Sequence, residues 1–251
     1  MEEIELRNDL RILTPDETEP VKVGIVIPTL NQFQKALMAI WTISTAHDYK
    51  IYVQPNWIFR WPLAKAWNNG IDEALADNCT HILVINDDIE FSPHTIDHLV
   101  YQLKTDKRLG MATACNVRDS KTPEETRVLE QQPVSTAPHP DFSCFMITPR
   151  TFRIVGRFDE NFVPAYFEDN DYHYRMKLLG LEAISSTGAP VYHYGSSTQN
   201  GDPSAPVVPG HQFEKCRGYY TEKWGGAPGH ETFTVPYNDT GYSVKEWRTH
   251  E

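Results

Sequence analysis

No two of the four cysteines, Cys79, Cys115, Cys144 and Cys216, form a C-x-x-C pair. That scatter excludes a zinc knuckle or a disulfide scaffold and leaves reduced, mostly buried thiols. No apolar run approaches the ~18 residues of a membrane-crossing helix, so no membrane span is expected. The opening residues, MEEIELRNDL, are acidic and carry no signal-peptide core, so a cytoplasmic location is expected. Basic residues are scarce as well: 23 Lys and Arg face 34 Asp and Glu, a formal net charge of -11. Residues 1–20 supply -5 of it, with seven acids against Arg7 and Arg11. Broad nonspecific nucleic-acid binding, which rests on many Lys and Arg contacts to phosphates, is disfavoured. Three motifs are missing: G-x-x-x-x-G-K-[ST], G-x-G-x-x-G and G-x-S-x-G. Without either glycine-rich phosphate loop, binding of a phosphate would fall to a cation.

What is present fits one α/β domain of 251 residues, 40% hydrophobic and 12% aromatic. Residues 1–20 read as a polar arm, 21–195 as the main domain, and 196–251 as a flexible loop, a terminal helix and a tail packing on that domain. Strands are expected at 23–27, 50–54, 82–85, 110–114, 142–148, 183–185 and 190–193. Helices are expected at 33–46, 63–76, 95–104, 149–155, 167–179 and 211–224. The first strand should stop at Pro28, which cannot donate in a sheet ladder. Ser92-Pro93 should open the helix that follows. Gly70 interrupts a helix interior at a cost of about 1 kcal/mol, which calls for a packing or ligand reason. Residues 116–140 read as a long surface excursion. Alternating strands and helices imply a largely parallel sheet with right-handed crossovers.

Two acidic clusters stand out. In HILVINDDIEFSP, residues 81–93, a buried-strand run ends in Asn86-Asp87-Asp88. Carboxylates just past such a strand sit at the carboxyl edge of the sheet, where ligands bind in open α/β sheets. They suit a hard divalent cation and the diphosphate it bridges, or else simply a polar turn. Glu168-Asp169-Asn170-Asp171 opens a helix. It reads either as capping residues or as a general base whose pKa is raised by neighbouring carboxylates. His193, at the end of a short strand, is placed to complete the coordination of a cation held by Asp88, with manganese or magnesium preferred by a mostly oxygen ligand set.

The ordered motifs VGIVIPTLN (23–31), WNNGIDEA (67–74), INDDIEFSP (85–93), Phe158-Asp159-Glu160 with Tyr166 to Asp171, and VYHYGSS (191–197) together resemble inverting, family-2 type glycosyltransferases of GT-A fold. Within that group the chain looks like the rhamnosyl- and galactofuranosyl-transferase-like enzymes. The resemblance implies a GT-A, Rossmann-like, mostly parallel central sheet flanked by helices. It implies a nucleoside-diphosphate sugar as donor, UDP-linked before others, bound by Pro28, Thr29, Asn31, Asn69, Asn86 and Asp87. Asp88 and His193 would hold Mn2+ or Mg2+, Asp169 would be the catalytic base, and Glu168, Asp171 and Trp224 would lie on the acceptor side. The first acid of the DXD-type segment is an amide here, Asn86, and Pro140-Asp141 precede Phe142 where glycines are common. The acceptor hydroxyl is expected on a glycan or on a hydroxylated pyrimidine of DNA, as in similar phage proteins, which would place the enzyme in a host cytoplasm. Tyr219, Tyr220 and Trp224, with Lys215, Arg217 and Lys223, form either an acceptor platform or a terminal helix packed on the core. A nucleotidyltransferase and a non-catalytic nucleotide-sugar-binding relative are the rival readings.

Overall fold

The structure, a computed structural model, describes residues 20–30, 33–117, 134–195 and 210–239. Residues 1–19 of the expected 1–20 arm, Asn31, most of the 116–140 excursion, the 196–209 loop and the tail from 240 lie outside the described residues.

One sheet of eight strands forms the body: β1 (Lys22–Thr29), β2 (Asp48–Pro55), β3 (His81–Ile85), β4 (Ile89–Phe91), β5 (Leu109–Asn116), β6 (Thr136–Ala137), β7 (Cys144–Ile147) and β8 (Glu182–His193). Their order is β2-β1-β3-β7-β5-β8-β4, with β6 added on β8. β1 is parallel to β2 and β3, and β5 to β8, while β7 runs against both β3 and β5. Five strands therefore point one way, and β4, β6 and β7 run back. The helices are α1 (Phe33–Trp41), α2 (Asn56–Phe59), α3 (Leu63–Ala76), α4 (Thr95–Thr105), α5 (Pro149–Val155), α6 (Glu168–Leu178) and α7 (Gly210–Trp224).

The pleat divides the apolar strand residues between two cores. Val23, Ile25, Ile27, Leu83 and Ile85 pack with Ala36 and Ala39 of α1 and Ile96, Leu99 and Val100 of α4. Val26, Ile82 and Val84 face the other side, against Ala64, Trp67, Ile71 and Ala74 of α3 and Tyr172 and Met176 of α6. This alternation, covered on both faces, is why β1 and β3 read as continuous apolar runs. Gly70 has a packing reason: a Cβ there would meet Val26 Cγ1 at 2.2 Å, so α3 lies against β1 only because the side chain is missing.

Several expected boundaries shift. β1 runs past Pro28, which pairs with Gln54 of β2. The ladder to β3 ends at Val26, so at Pro28 the strand has a neighbour on one side only and tolerates the lost donor. α1 stops at Trp41 rather than 46, because Thr42 turns its hydroxyl onto Ala39 O (2.9 Å) and Ala46 N–H binds Asp97 of α4 (3.1 Å). α4 starts at Thr95, after a turn through Ser92-Pro93 and a left-handed His94 (φ 65°). The Thr95 hydroxyl is anchored on Pro190 O at 2.6 Å. The two short strands expected at 183–185 and 190–193 are one strand with a bulge, since Ala114 pairs with Ser186 and Cys115 with Pro190.

Candidate functional site

The carboxyl ends of β1, β3, β5 and β8 share one edge of the sheet, and the first acidic cluster sits there. β3 ends at Ile85, and Asn86-Asp87-Asp88 lead into β4, which folds back along β8 with Ile89 opposite His193. Tyr194 N–H donates to Asp88 O at 3.1 Å and fixes that register. The pairing brings His193 Nε2 to 3.0 Å from Asp88 Oδ1. Asn86 Nδ2 lies 3.4 Å from the same ring nitrogen, and Asn116 Nδ2, at the end of β5, lies 3.4 Å from His193 Nδ1. Asp87 is buried, and burial pushes its carboxyl up to about 6. The Thr29 hydroxyl pulls it back down, Asp88 pushes further up, and Lys35 pulls down. Thr29 Oγ1 lies near that carboxyl but makes no full hydrogen bond among the described residues.

The second cluster enters through strained backbone. Tyr166 (φ 83°) and Phe167 (φ 72°) are both left-handed, a conformation that costs non-glycine residues about 1–3 kcal/mol each and collects at functional sites. They swing the chain so that α6 begins with Glu168 and Asp169. Glu168 is 4% exposed, and its Oε2 is buried without a hydrogen-bond partner among the described residues. Burial, then the neighbouring Asp169, holds its carboxyl well above the ordinary value. Asp169 is half-buried. Its Oδ1 accepts from Asn170 N–H at 2.7 Å, and burial, aided by the charge of Asp141, raises its pKa.

Asp141 lies beside the first cluster, and its charge is felt at the second. Its carboxylate accepts Ser143 N–H at 2.9 Å, and Ser143 O accepts Asn86 N–H at 2.8 Å, while the same charge acts on Asp169. The sequence flagged Asp141 only as a departure in shape. Its position just before β7, beside the end of β3, was the available signal. Asn116 was missed for a similar reason: it ends a strand at the ligand edge, but nothing nearby in the chain marks it.

Other expected site residues lie elsewhere. Pro28 is buried in β1, and Asn69 is half-buried on α3. Its neighbour Asn68 is fully buried and clamps Phe158, donating to Phe158 O and accepting from Phe158 N, each at 2.9 Å. Asp171 and Trp224 depart from the acceptor-side expectation. Asp171 is 0% exposed, bound by Arg175 Nε at 2.9 Å, Lys223 Nζ at 2.6 Å and Trp224 Nε1 at 2.8 Å. Lys223 also binds Asp159 at 2.7 Å, and Tyr220 and Trp224 are buried against Phe162. These groups form the internal seam between α7 and the domain rather than an open platform.

The adjacent carboxylate and imidazole of Asp88 and His193 are an oxygen and a nitrogen donor of the kind that manganese or magnesium accepts. Among the described residues, no group of three or more His, Cys, Asp or Glu side chains gathers as a metal cage. No helix among them is long and apolar enough to cross a membrane.

No protein-family model matches the chain. A galactofuranosyl glycosyltransferase of Leishmania donovani is 27% identical over 64% of this chain, and the match spans about half, 48%, of that relative. Drosophila β1,4-galactosyltransferase 7, in a mutant crystallised with manganese, UDP-Gal and xylobiose, superposes with a TM-score of 0.53 at 12% identity, over 78% of this chain and 79% of its own. GalNAc-T7, crystallised with UDP, GalNAc and Mn2+, gives 0.52 at 13% identity, over 83% of this chain and 49% of its own. At such identities the likeness is one of fold: the chain has the GT-A fold, a single mixed α/β body around a mostly parallel sheet.

Proposed function

We propose that this protein is a metal-dependent, inverting glycosyltransferase that moves a sugar from a UDP-sugar to a saccharide hydroxyl. The observation that carries the reading is the pairing of Asp88 Oδ1 with His193 Nε2, an oxygen and a nitrogen donor 3.0 Å apart at the carboxyl edge of the sheet; the raised pKa of Asp169 adds support. The Leishmania relative and the UDP- and manganese-bound neighbours support it.

The donor's nucleoside would lie over the end of β1, where Thr29 offers a buried hydroxyl with unused hydrogen-bonding capacity, and beside Asp87. Asp88 and His193 would hold the cation, which when bound supplies charge neutralisation for the diphosphate. Asp169 takes the acceptor's proton. Its raised pKa suits a base better than an ordinary Asp, whose conjugate acid is too strong to gain much in proton transfer. Glu168 keeps a buried oxygen unpaired, which an acceptor hydroxyl would satisfy. Leaving it unpaired costs about 1–3 kcal/mol, and that cost is relieved on binding. One base, with no second carboxylate assigned as nucleophile, corresponds to a single displacement and inversion. A net charge of -11 and the burial of Lys223, Tyr220 and Trp224 weigh for a saccharide acceptor over a DNA base.

The test is turnover of UDP-, GDP- and dTDP-sugars with manganese and a panel of saccharides and hydroxylated oligonucleotides, with product configuration read by NMR. Asp169→Asn should lose about 10²–10⁴ in rate. Normal turnover by that variant would remove Asp169 as the base, and retention of configuration would overturn the single displacement.

A further inference from the structure

Asn116 stands outside both sequence clusters, yet its carboxamide meets the ring nitrogen of His193 that faces away from Asp88. A carboxylate only accepts, so the 3.0 Å contact between Asp88 Oδ1 and His193 Nε2 requires the proton on Nε2. Nδ1 is then an acceptor, and Asn116 Nδ2, at 3.4 Å, is its donor. A proton on Nδ1 would face the Asn116 N–H groups, so this orientation of the carboxamide favours the Nε2–H tautomer. Asn86 Nδ2, 3.4 Å from that same Nε2, faces a nitrogen already protonated and adds no hydrogen bond in this tautomer.

This state cannot bind a cation through Nε2, because its lone pair is taken by the proton. For Nε2 to become a ligand, its proton must leave and one must be taken up at Nδ1, so the ring stays neutral. Nδ1–H then needs an acceptor. Asn116 carries one on the same carboxamide: Oδ1 is buried and has no hydrogen-bond partner among the described residues. A half-turn about the Cβ–Cγ bond exchanges Nδ2 for Oδ1 at Nδ1. A partner on the far nitrogen is what fixes the tautomer and orientation of a metal-binding imidazole.

We infer that Asn116 is a positioning residue whose carboxamide, by turning over, stabilises either tautomer of His193 and so sets whether Nε2 is paired with Asp88 or available to a divalent cation. The inference rests on the proposed cation site but is separable from it. An amide serves both states. An aspartate serves only Nδ1–H, and a leucine serves neither.

The test compares wild type, Asn116→Asp and Asn116→Leu by 15N NMR of the His193 ring, identified by its loss in His193→Gln. In metal-free protein, wild type should show the Nε2–H form, and Asn116→Asp should add a proton at Nδ1 while Nε2 stays protonated toward Asp88. Added Mg2+ should bring wild type to the Nδ1–H form. Free Mn2+ measured by electron paramagnetic resonance, with no donor present, should give Asn116→Leu about 10–100-fold weaker binding than wild type, and Asn116→Asp no weaker binding. A ring protonation state that is the same in all three metal-free proteins would overturn the inference even if the enzyme is active. If the protonation state follows residue 116 while no protein binds Mn2+, the positioning role stands and the metal-dependent reading falls.

Discussion

Lys223 Nζ lies 2.6 Å from Asp171 Oδ1, with the two residues 1% and 0% exposed. The ammonium belongs to α7 and the carboxylate to α6, so a fully buried ion pair joins the last helix to the one that begins with Glu168 and Asp169. Asp159 takes the same ammonium at 2.7 Å. Such a pair adds little net stability over an apolar core, but removing one partner strands a charge. Lys223→Met is expected to lower unfolding free energy by about 3–5 kcal/mol in urea titrations. A loss below about 1 kcal/mol would mean that the two carboxylates find other partners or water.

The same seam should respond to acid. Burial pushes the Asp159 carboxyl up, but Lys223 and the hydrogen bonds from Asn161 and Tyr219 outweigh it and hold the pKa at about 2, against an ordinary 3.8. A depressed folded-state pKa contributes stability that is complete above 3.8 and is lost as pH falls through about 2. Asp159→Asn should therefore be less stable than wild type at pH 6, with the difference shrinking between about pH 4 and 2. A difference independent of pH would assign the loss to packing instead.

Gly70→Ala sets two effects against each other. Helix propensity favours alanine by about 1 kcal/mol. The added methyl would sit 2.2 Å from Val26 Cγ1, on a β-branched side chain buried in the sheet with little freedom to move. Overpacking costs about 1–3 kcal/mol, so a net loss of up to about 2 kcal/mol is expected, partly restored by adding Val26→Ala. A more stable Gly70→Ala protein would show that α3 can slide off β1.

Glu168 should be a site where function opposes stability. Its carboxyl is held above the ordinary 4.5, chiefly by burial, so its ionised form burdens the fold at neutral pH. The sign follows from linkage: below 4.5 both states are protonated and the burden vanishes, and above the folded-state value it is complete. Glu168→Gln is expected to raise the melting temperature at pH 7–8, and the gain should disappear near pH 4. A lower melting temperature at pH 8 would show that the carboxylate is stabilised where it lies.

Where the chain states its environment locally, the sequence was enough. Residues 82–85 read as a buried strand because every residue is apolar and both faces are covered, and Asp88 and His193 stood out because one follows the end of a strand and the other closes one. Residues whose roles depend on distant partners were not legible. Lysine is rarely buried, so nothing in residues 211–224 announced that Lys223 would turn inward to Asp159 and Asp171. Trp224 read either as a platform or as a core residue, and Asp171 opposite its indole N–H settles it as core. β1 runs through Pro28 because its neighbour on the β3 side ends first, which is a property of the sheet. Asn116 gains its place only when β5 and β8 lie side by side.

Calorimetric titration of UDP into the protein with and without Mn2+, repeated on Asp88→Ala, tests the central claim most directly. The account predicts that Mn2+ tightens UDP binding in the wild type and that Asp88→Ala abolishes that gain while the protein stays folded. UDP binding that ignores Mn2+, or no binding at all, would contradict it.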